Sequence, residues 1–288
     1  MNVTGLELIP VWTTREMGKT CPSDPVKAVS YHVIVRIKTD SGMVGIGEMS
    51  DVDFATNKTF VGRLKHRLEP FLIGKDPFEL TAIQMALSEV DWEHQVRCGI
   101  DVALHDLVAR ALDVPVYALL GGRVRKKARF SYPLAACRTE SDVEANLERI
   151  RSRINQGHDC FRYYFGVDLD LDERLLNEVR RQWGDGVEIN ALDASGGFEV
   201  KDAILAINRL APYGANVVES PVKGRHNAPV EEFLEVKDAV SIPIGEHITN
   251  YEIGARMARH EAVDVWNLGA GYAGITACLR LFATARQA

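Results

Sequence analysis

Nothing in the sequence pairs its cysteines. The five of them, Cys21, Cys98, Cys137, Cys160 and Cys278, are odd in number and none sits in a CxxC motif, so no disulfide framework is read. With no secretory leader at the start, reduced thiols and a cytoplasmic location are expected. Long apolar runs are missing too. None approaches the roughly 20 residues that a membrane span needs, and no membrane partner is expected. Walker and dinucleotide glycine loops are absent, which leaves a nucleotide cofactor without support. Charge of one sign does not dominate: 34 basic against 40 acidic residues give −6, and no nucleic-acid partner is expected. The one basic run, Arg123, Arg125, Lys126, Lys127 and Arg129, follows a helix end and reads as a solvated linker that suits the helix dipole.

What is present is a repeated arrangement of acids. Three short apolar segments each end in a carboxylate: "INALD" at Asp193, "NVVE" at Glu219 and "IPIGE" at Glu246. The intervals are 26 and 27 residues, about the length of one strand, turn, covering helix and return loop. Each acid therefore falls at the C-terminal end of a parallel strand, the face where βα barrels keep their chemistry. Three neighbouring carboxylates repel unless a cation lies among them, and hard oxygen donors suit Mg²⁺. The plainer alternative is three unrelated surface acids capping helix starts. Equal spacing and identical placement argue against it.

A chain of 288 residues has room for two domains or one large barrel. Residues from Met1 to Met49 read as β. "YHVIVRIKTDSGMVGIGE" alternates through Val33, Val35 and Ile37 and turns at Asp40-Ser41-Gly42, a hairpin by its turn chemistry. Thr13–Val26 and the stretch after Glu48, "MSDVDFATNK", read as loops. From about Thr59 to Leu120 the pattern is helical, with Ile100, Ala103, Leu104, Leu107 and Ala111 on one stripe. Beyond Phe130, strands are expected at Phe130–Ala135, Cys160–Phe165, Val187–Asp193, Asn216–Glu219, Ser241–Glu246 and Val263–Leu268. Helices fall between them, such as Ser141–Gln156, capped by Ser141, and Asp172–Trp183. Alternation of this kind calls for a parallel sheet. Six units are counted; a closed barrel needs eight.

These segments resemble the enolase superfamily, in its mandelate racemase and muconate lactonizing branch, over nearly the whole chain. "VRIKTDSGMVGIGE" is similar to the capping-domain hairpin, and "GIDVALHDLVARALDVPVYALLGG" to the helix that leads into the barrel. "LDASGG", with Ser195 replacing an Asn, resembles the third-strand metal motif; "VVESP" and "IPIGEH" resemble the fourth and fifth. The resemblance implies an α+β capping domain over residues 1–122, then an enolase-type (β/α) barrel over 123–288 that stops after about six strands. It further implies Asp193, Glu219 and Glu246 as Mg²⁺ ligands. The shared reaction step is removal of a proton α to a carboxylate, with the metal stabilising the enediolate. A hydroxy acid or acid sugar, dehydrated, racemised or epimerised, is the substrate class expected. The loops Thr13–Val26 and Asp51–Lys58 would then close over the substrate, and Arg15 and Lys19 either meet it or are solvated.

The departures lie on the second and sixth strands. Where the family commonly carries Lys-x-Lys, "GHDCFRYYFG" places Arg162 and Tyr164. Arginine stays protonated and is no ordinary base, but it can hold an anion and favour a nearby phenolate. Tyr164 is thus either the base, with Arg162 as electrostatic partner, or a packed remnant of a lost site. At the end of strand six, "VDVWNLGAGYAG" offers Gly269 and no acid or base. His247 is either a general acid for a leaving hydroxyl, a substrate contact or a satisfied histidine. His105 reads as structural. A six-strand sheet leaves apolar edges open, so self-association into a homo-oligomer is expected, and Ala288 is expected to end a partial product of a longer parent. The competing reading is a non-catalytic relative that binds metal or acids without turnover.

Overall fold

In this computed structural model the described residues are 1–14, 29–90, 92–224 and 229–286. The loop read over Thr13–Val26, with Arg15, Lys19 and Cys21, lies almost wholly outside them. Contacts divide the chain into two compact units.

The first unit opens with a three-stranded antiparallel sheet, β1 (Val3–Thr14), β2 (Val29–Thr39) and β3 (Val44–Met49), in the order β1-β2-β3. The alternation of β2 puts Val33, Val35 and Ile37 at 0% exposure; period two sends alternate residues to one face. The turn sits where Asp40-Ser41-Gly42 suggests, with Gly42 at φ 81°. Four helices follow: α1 (Lys58–Leu72), α2 (Leu80–Ser88), α3 (His94–Ala111) and the short α4 (Val116–Leu119). Helix α3 lies directly on β3. A Cβ on Gly47 would stand 2.1 Å from the Gly99 carbonyl oxygen, and one on Gly45 2.2 Å from that of Ala103, so only glycine permits this approach. The expected stripe of α3 is buried through Ile100, Ala103, Leu104 and Leu107. His105 is buried and its Nδ1 bonds the Asp101 carbonyl at 2.9 Å, a structural role. Within "MSDVDFATNK", Asp53–Thr56 forms a 3₁₀ turn, and the Asn57 side chain then caps α1.

The second unit, Lys127–Asn267 in the main, alternates strand and helix. Its elements are β4 (Tyr132–Leu134), α5 (Glu140–Ile154), β5 (Cys160–Tyr164), α6 (Leu169–Trp183), β6 (Glu188–Asp193), α7 (Val200–Leu210), β7 (Val218–Glu219), α8 (Val230–Ala239), β8 (Ile244–His247), α9 (Tyr251–His260) and β9 (Val265–Asn267). The six strands form one sheet in chain order, every neighbouring pair parallel. Among the described residues β4 and β9 do not pair, so the barrel-type sheet is not closed. Helix α5 is capped by Thr139 rather than Ser141. The Asp142 carboxylate three residues on accepts from the Thr139 backbone N–H at 2.9 Å, a capping box that the Ser141 position does not offer. Helix α6 starts at Leu169, with the Asp168 side chain as cap. The last helix, α10 (Ala270–Ala285), is broken at Gly274, and Leu268–Ala283 belongs to the first unit. There Asp101 of α3 accepts from the Thr276 backbone N–H at 2.9 Å and its hydroxyl at 2.6 Å.

The described cysteines, Cys98, Cys137, Cys160 and Cys278, are buried thiols. No helix among the described residues is long and apolar enough to cross a membrane. The basic run is exposed, with Val124 at 95%, and Arg129 within it pairs with Asp159 at 3.0 Å.

Candidate functional site

Strand β5 sorts its side chains by alternation. Phe161 and Tyr163 are at 0% exposure, and the Tyr163 hydroxyl donates to Asp172 of α6, so these residues face the helices. Arg162 and Tyr164, one position out of phase, face the other side of the sheet. Parallel pairing carries that face across the strand ends: Tyr164 opposite Asp193, Asp193 opposite Glu219, Glu219 opposite Gly245. His247 and Asn267 pair with each other two residues further along, on the same pleat as Gly245. Glu246 lies between them in the alternation, opposite Trp266.

The polar groups on this face converge. Asp193 is 0% exposed, Glu219 5% and His247 4%. The Arg162 guanidinium donates through one nitrogen, Nη2, to Asp193 Oδ2 and to Glu219 Oε1, the latter at 3.0 Å. That same Glu219 oxygen accepts from His247 Nε2 at 2.5 Å and from Asn267 Nδ2 at 3.0 Å. Arg162 also lies 4.9 Å from the centroid of the Tyr164 ring. The second oxygen of Asp193 accepts from the backbone N–H of Ser195 at 2.7 Å and its hydroxyl at 2.9 Å. Ser195 and Ser220, just beyond Asp193 and Glu219, both have left-handed backbones, φ 53° and 47°. Non-glycine residues there carry a local strain that the surrounding bonds must hold.

Burial and charge oppose each other in this cluster. Burial works against the charge on Arg162, but Asp193 and Glu219 outweigh it and raise the guanidinium above its ordinary pKa. Burial likewise pushes Glu219 up, while the hydrogen bond from His247 and the charge of Arg162 prevail and leave it below the ordinary carboxylate value. The net direction for both groups is toward the ion pair.

The structure thus brings together Asp193, Glu219, Arg162, Tyr164 and His247. Glu246 is buried at 1% on the adjacent pleat, where its Oε1 accepts from the Ser220 hydroxyl at 2.8 Å and the His247 backbone N–H at 2.5 Å. Sequence reasoning missed two members. Asn267 ends β9 as Glu219 ends β7, a signal that was readable had the amide been considered beside the acids. Ser220 follows Glu219 in "VVESP", and nothing in the motif announces its bond to the next strand.

The donor set can be tested against a divalent ion. Buried carboxylate oxygens on strand ends are what a hard cation takes, and two of them already converge on a single positive atom. Among the described residues, no three such side chains surround one point as a metal cage; the guanidinium stands between the two that converge, and Glu246 lies on the adjacent pleat. The donors suit Mg²⁺ in their chemistry, and the atom they now share is Arg162 Nη2.

An α+β unit followed by parallel βα repeats, with acids at the ends of successive strands, is the layout of a βα-barrel-type protein that gathers its polar groups at the C-terminal strand ends. A family model described as the mandelate racemase / muconate lactonizing enzyme N-terminal domain matches residues 20–121, and one described as enolase C-terminal domain-like matches 145–288. The chain belongs to the enolase superfamily, in its mandelate racemase and muconate lactonizing branch. Chloromuconate cycloisomerase of Pseudomonas putida is 31% identical over 250 residues, 84% of this chain and 66% of that enzyme. The cycloisomerase of Cupriavidus necator is 31% identical over 265 residues, 89% of this chain and 70% of that one. The chain therefore spans about two-thirds of the length of these relatives. The dipeptide epimerase of Enterococcus faecalis, solved with Mg and L-Leu-L-Tyr, shares the fold at a TM-score of 0.86 and 23% identity, over 100% of this chain and 80% of that one. These named relatives are isomerases.

Proposed function

We propose that the chain is a Mg²⁺-dependent enzyme that removes a proton α to the carboxylate of a small hydroxy acid or acid sugar, leading to dehydration or to racemisation or epimerisation. The isomerase relatives support the second outcome. The observation that carries the proposal is the convergence of Asp193, Glu219, Arg162 and His247 on one face of the strand ends. Asp193 and Glu219 would hold the ion, and Glu246, the third acid, would join them by turning from its bonds to Ser220 and the His247 backbone. Bound there, Mg²⁺ would offset negative charge on the substrate carboxylate as the α-proton leaves.

The chain's own residues would do the rest. Tyr164, flanked by the Arg162 cation, takes the proton at its phenolic oxygen, and Arg162 favours the phenolate. His247 holds a proton at Nε2, the atom that now donates to Glu219, and is placed to give one to a leaving hydroxyl or to the opposite face of the α-carbon. For the domains we propose 1–122 as the capping part and 123–288 as the barrel part, supported by the extents of the two family matches. Self-association into a homo-oligomer is proposed from the unpaired sheet edges.

The test is α-proton exchange. The chain is incubated in deuterated water with Mg²⁺ and a panel of acid sugars and hydroxy acids, and substrate deuteration is followed by NMR. Exchange by the wild type and its loss in Tyr164→Phe support the reading; full exchange in Tyr164→Phe assigns the base elsewhere. One observation favours a second reading, a relative that binds without turnover: the guanidinium sits where the ion is needed. Metal binding with silence across the whole panel would select it.

A further inference from the structure

We infer that Arg162 is a resident counter-cation of the acid cluster, and that a divalent ion enters only by displacing it. The inference rests on the proposed metal reading and concerns what controls that site.

One guanidinium nitrogen bonds both Asp193 Oδ2 and Glu219 Oε1, the two oxygens that a bridging ion would require. A cation coordinated by both and a guanidinium hydrogen-bonded to both compete for the same lone pairs. The site is walled as well. Asp193 is fully buried and the Arg162 side chain is 23% exposed, so water screens the pair less than it would at the surface and the arginine's charge opposes an arriving dication. On the other side of the Arg162 side chain, its Nε is buried with no hydrogen-bond partner among the described residues. Both of its hydrogen bonds to the acids thus run through the one terminal nitrogen, with the Tyr164 ring 4.9 Å away as its other contact, so an ion that takes these two oxygens removes both bonds at once. Lysine could not duplicate the arrangement with the same geometry, since its ammonium is a compact point charge while the planar guanidinium is more weakly hydrated and suits a buried ion pair.

Displacement leaves a reading in metal affinity. Mn²⁺ binding is measured by isothermal titration calorimetry on the wild type, Arg162→Gln, Arg162→Lys and Asp193→Asn. Arg162→Gln is expected to bind at least tenfold more tightly than the wild type, Arg162→Lys to fall between them, and Asp193→Asn to lose binding. The metal-free Arg162→Gln chain, with two buried carboxylates lacking their counter-charge, should melt lower than the wild type and regain that loss on adding Mn²⁺. Equal or weaker binding by Arg162→Gln overturns the inference while leaving the metal reading standing. Absence of binding by all four proteins overturns both. Should Arg162→Gln fail to fold, the wild type decides through the anomalous signal of Mn²⁺ in a soaked crystal. An ion at Asp193 and Glu219 with the guanidinium swung away supports displacement; an ion bound there with Arg162 still bonded to both acids refutes it.

Discussion

Asp172 links the sheet to α6, and its replacement by Asn reads out the cost of keeping a carboxyl there. The side chain is 0% exposed. The Tyr163 hydroxyl donates to one oxygen and the Gly166 backbone N–H to the other at 2.8 Å. Burial dominates over these two bonds and pushes the carboxyl from 3.8 up to about 6. A folded pKa above the unfolded one means that the folded chain binds the proton more tightly. That extra stability is complete below about pH 4 and is lost as pH rises through about 6. At about 1.36 kcal/mol per unit the full swing is about 3 kcal/mol. Tyr163 stays a donor over the whole window, because burial and the adjacent carboxylate raise its pKa well above 10.

The assay is urea unfolding of the wild type and Asp172→Asn at intervals between pH 4 and pH 8. The difference between the two proteins cancels the titrating groups that do not interact with Asp172. Asn loses the acceptor for Gly166, a constant offset of about 1 kcal/mol, so only the slope matters. Wild-type stability should fall relative to the variant by about 2.4 kcal/mol of that swing between pH 4 and pH 7 and run parallel above it. A wild-type-minus-variant stability that stays flat, or that rises with pH, would refute the claim that burial governs this carboxyl.

Two further outcomes follow from packing. Gly47→Ala places a methyl 2.1 Å from the Gly99 carbonyl oxygen and 2.8 Å from the Ala103 nitrogen; displacement of α3 should cost about 3 kcal/mol in denaturant titration. Asp101→Ala strips Thr276 of both its bonds to a buried carboxylate, and about 3 kcal/mol should be lost. Asp101→Asn should lose roughly half of that, as both melting curves will show.

How much of this was legible beforehand differs from residue to residue. The six strands, the hairpin at Gly42 and the buried stripe of α3 follow from periodicity, because burial on one face imposes its period on the residues. Asp193 and Glu219 were findable by spacing, since a βα unit has a nearly constant length. Caps were harder: Ser141 and Thr139 are equally good cap residues, and only the reach of Asp142 back to the Thr139 N–H distinguishes them. Glu246 shows the same limit more sharply. Its place at a strand end is plain in the sequence, while the pleat it occupies depends on a register that pairs Glu219 with Gly245.

By itself, then, the order of residues determined the alternation of strand and helix, the family and the acids at the strand ends, because each is a local pattern or a spacing along the chain. Only the tertiary structure decided which charge meets which. Arg162 and Glu219 are 57 positions apart, and their contact exists because three parallel strands, β5, β6 and β7, lie side by side and turn those side chains to one face. Hydrogen bonds and ion pairs act over a few ångströms, and distances of that size between remote residues are set by the folded sheet alone.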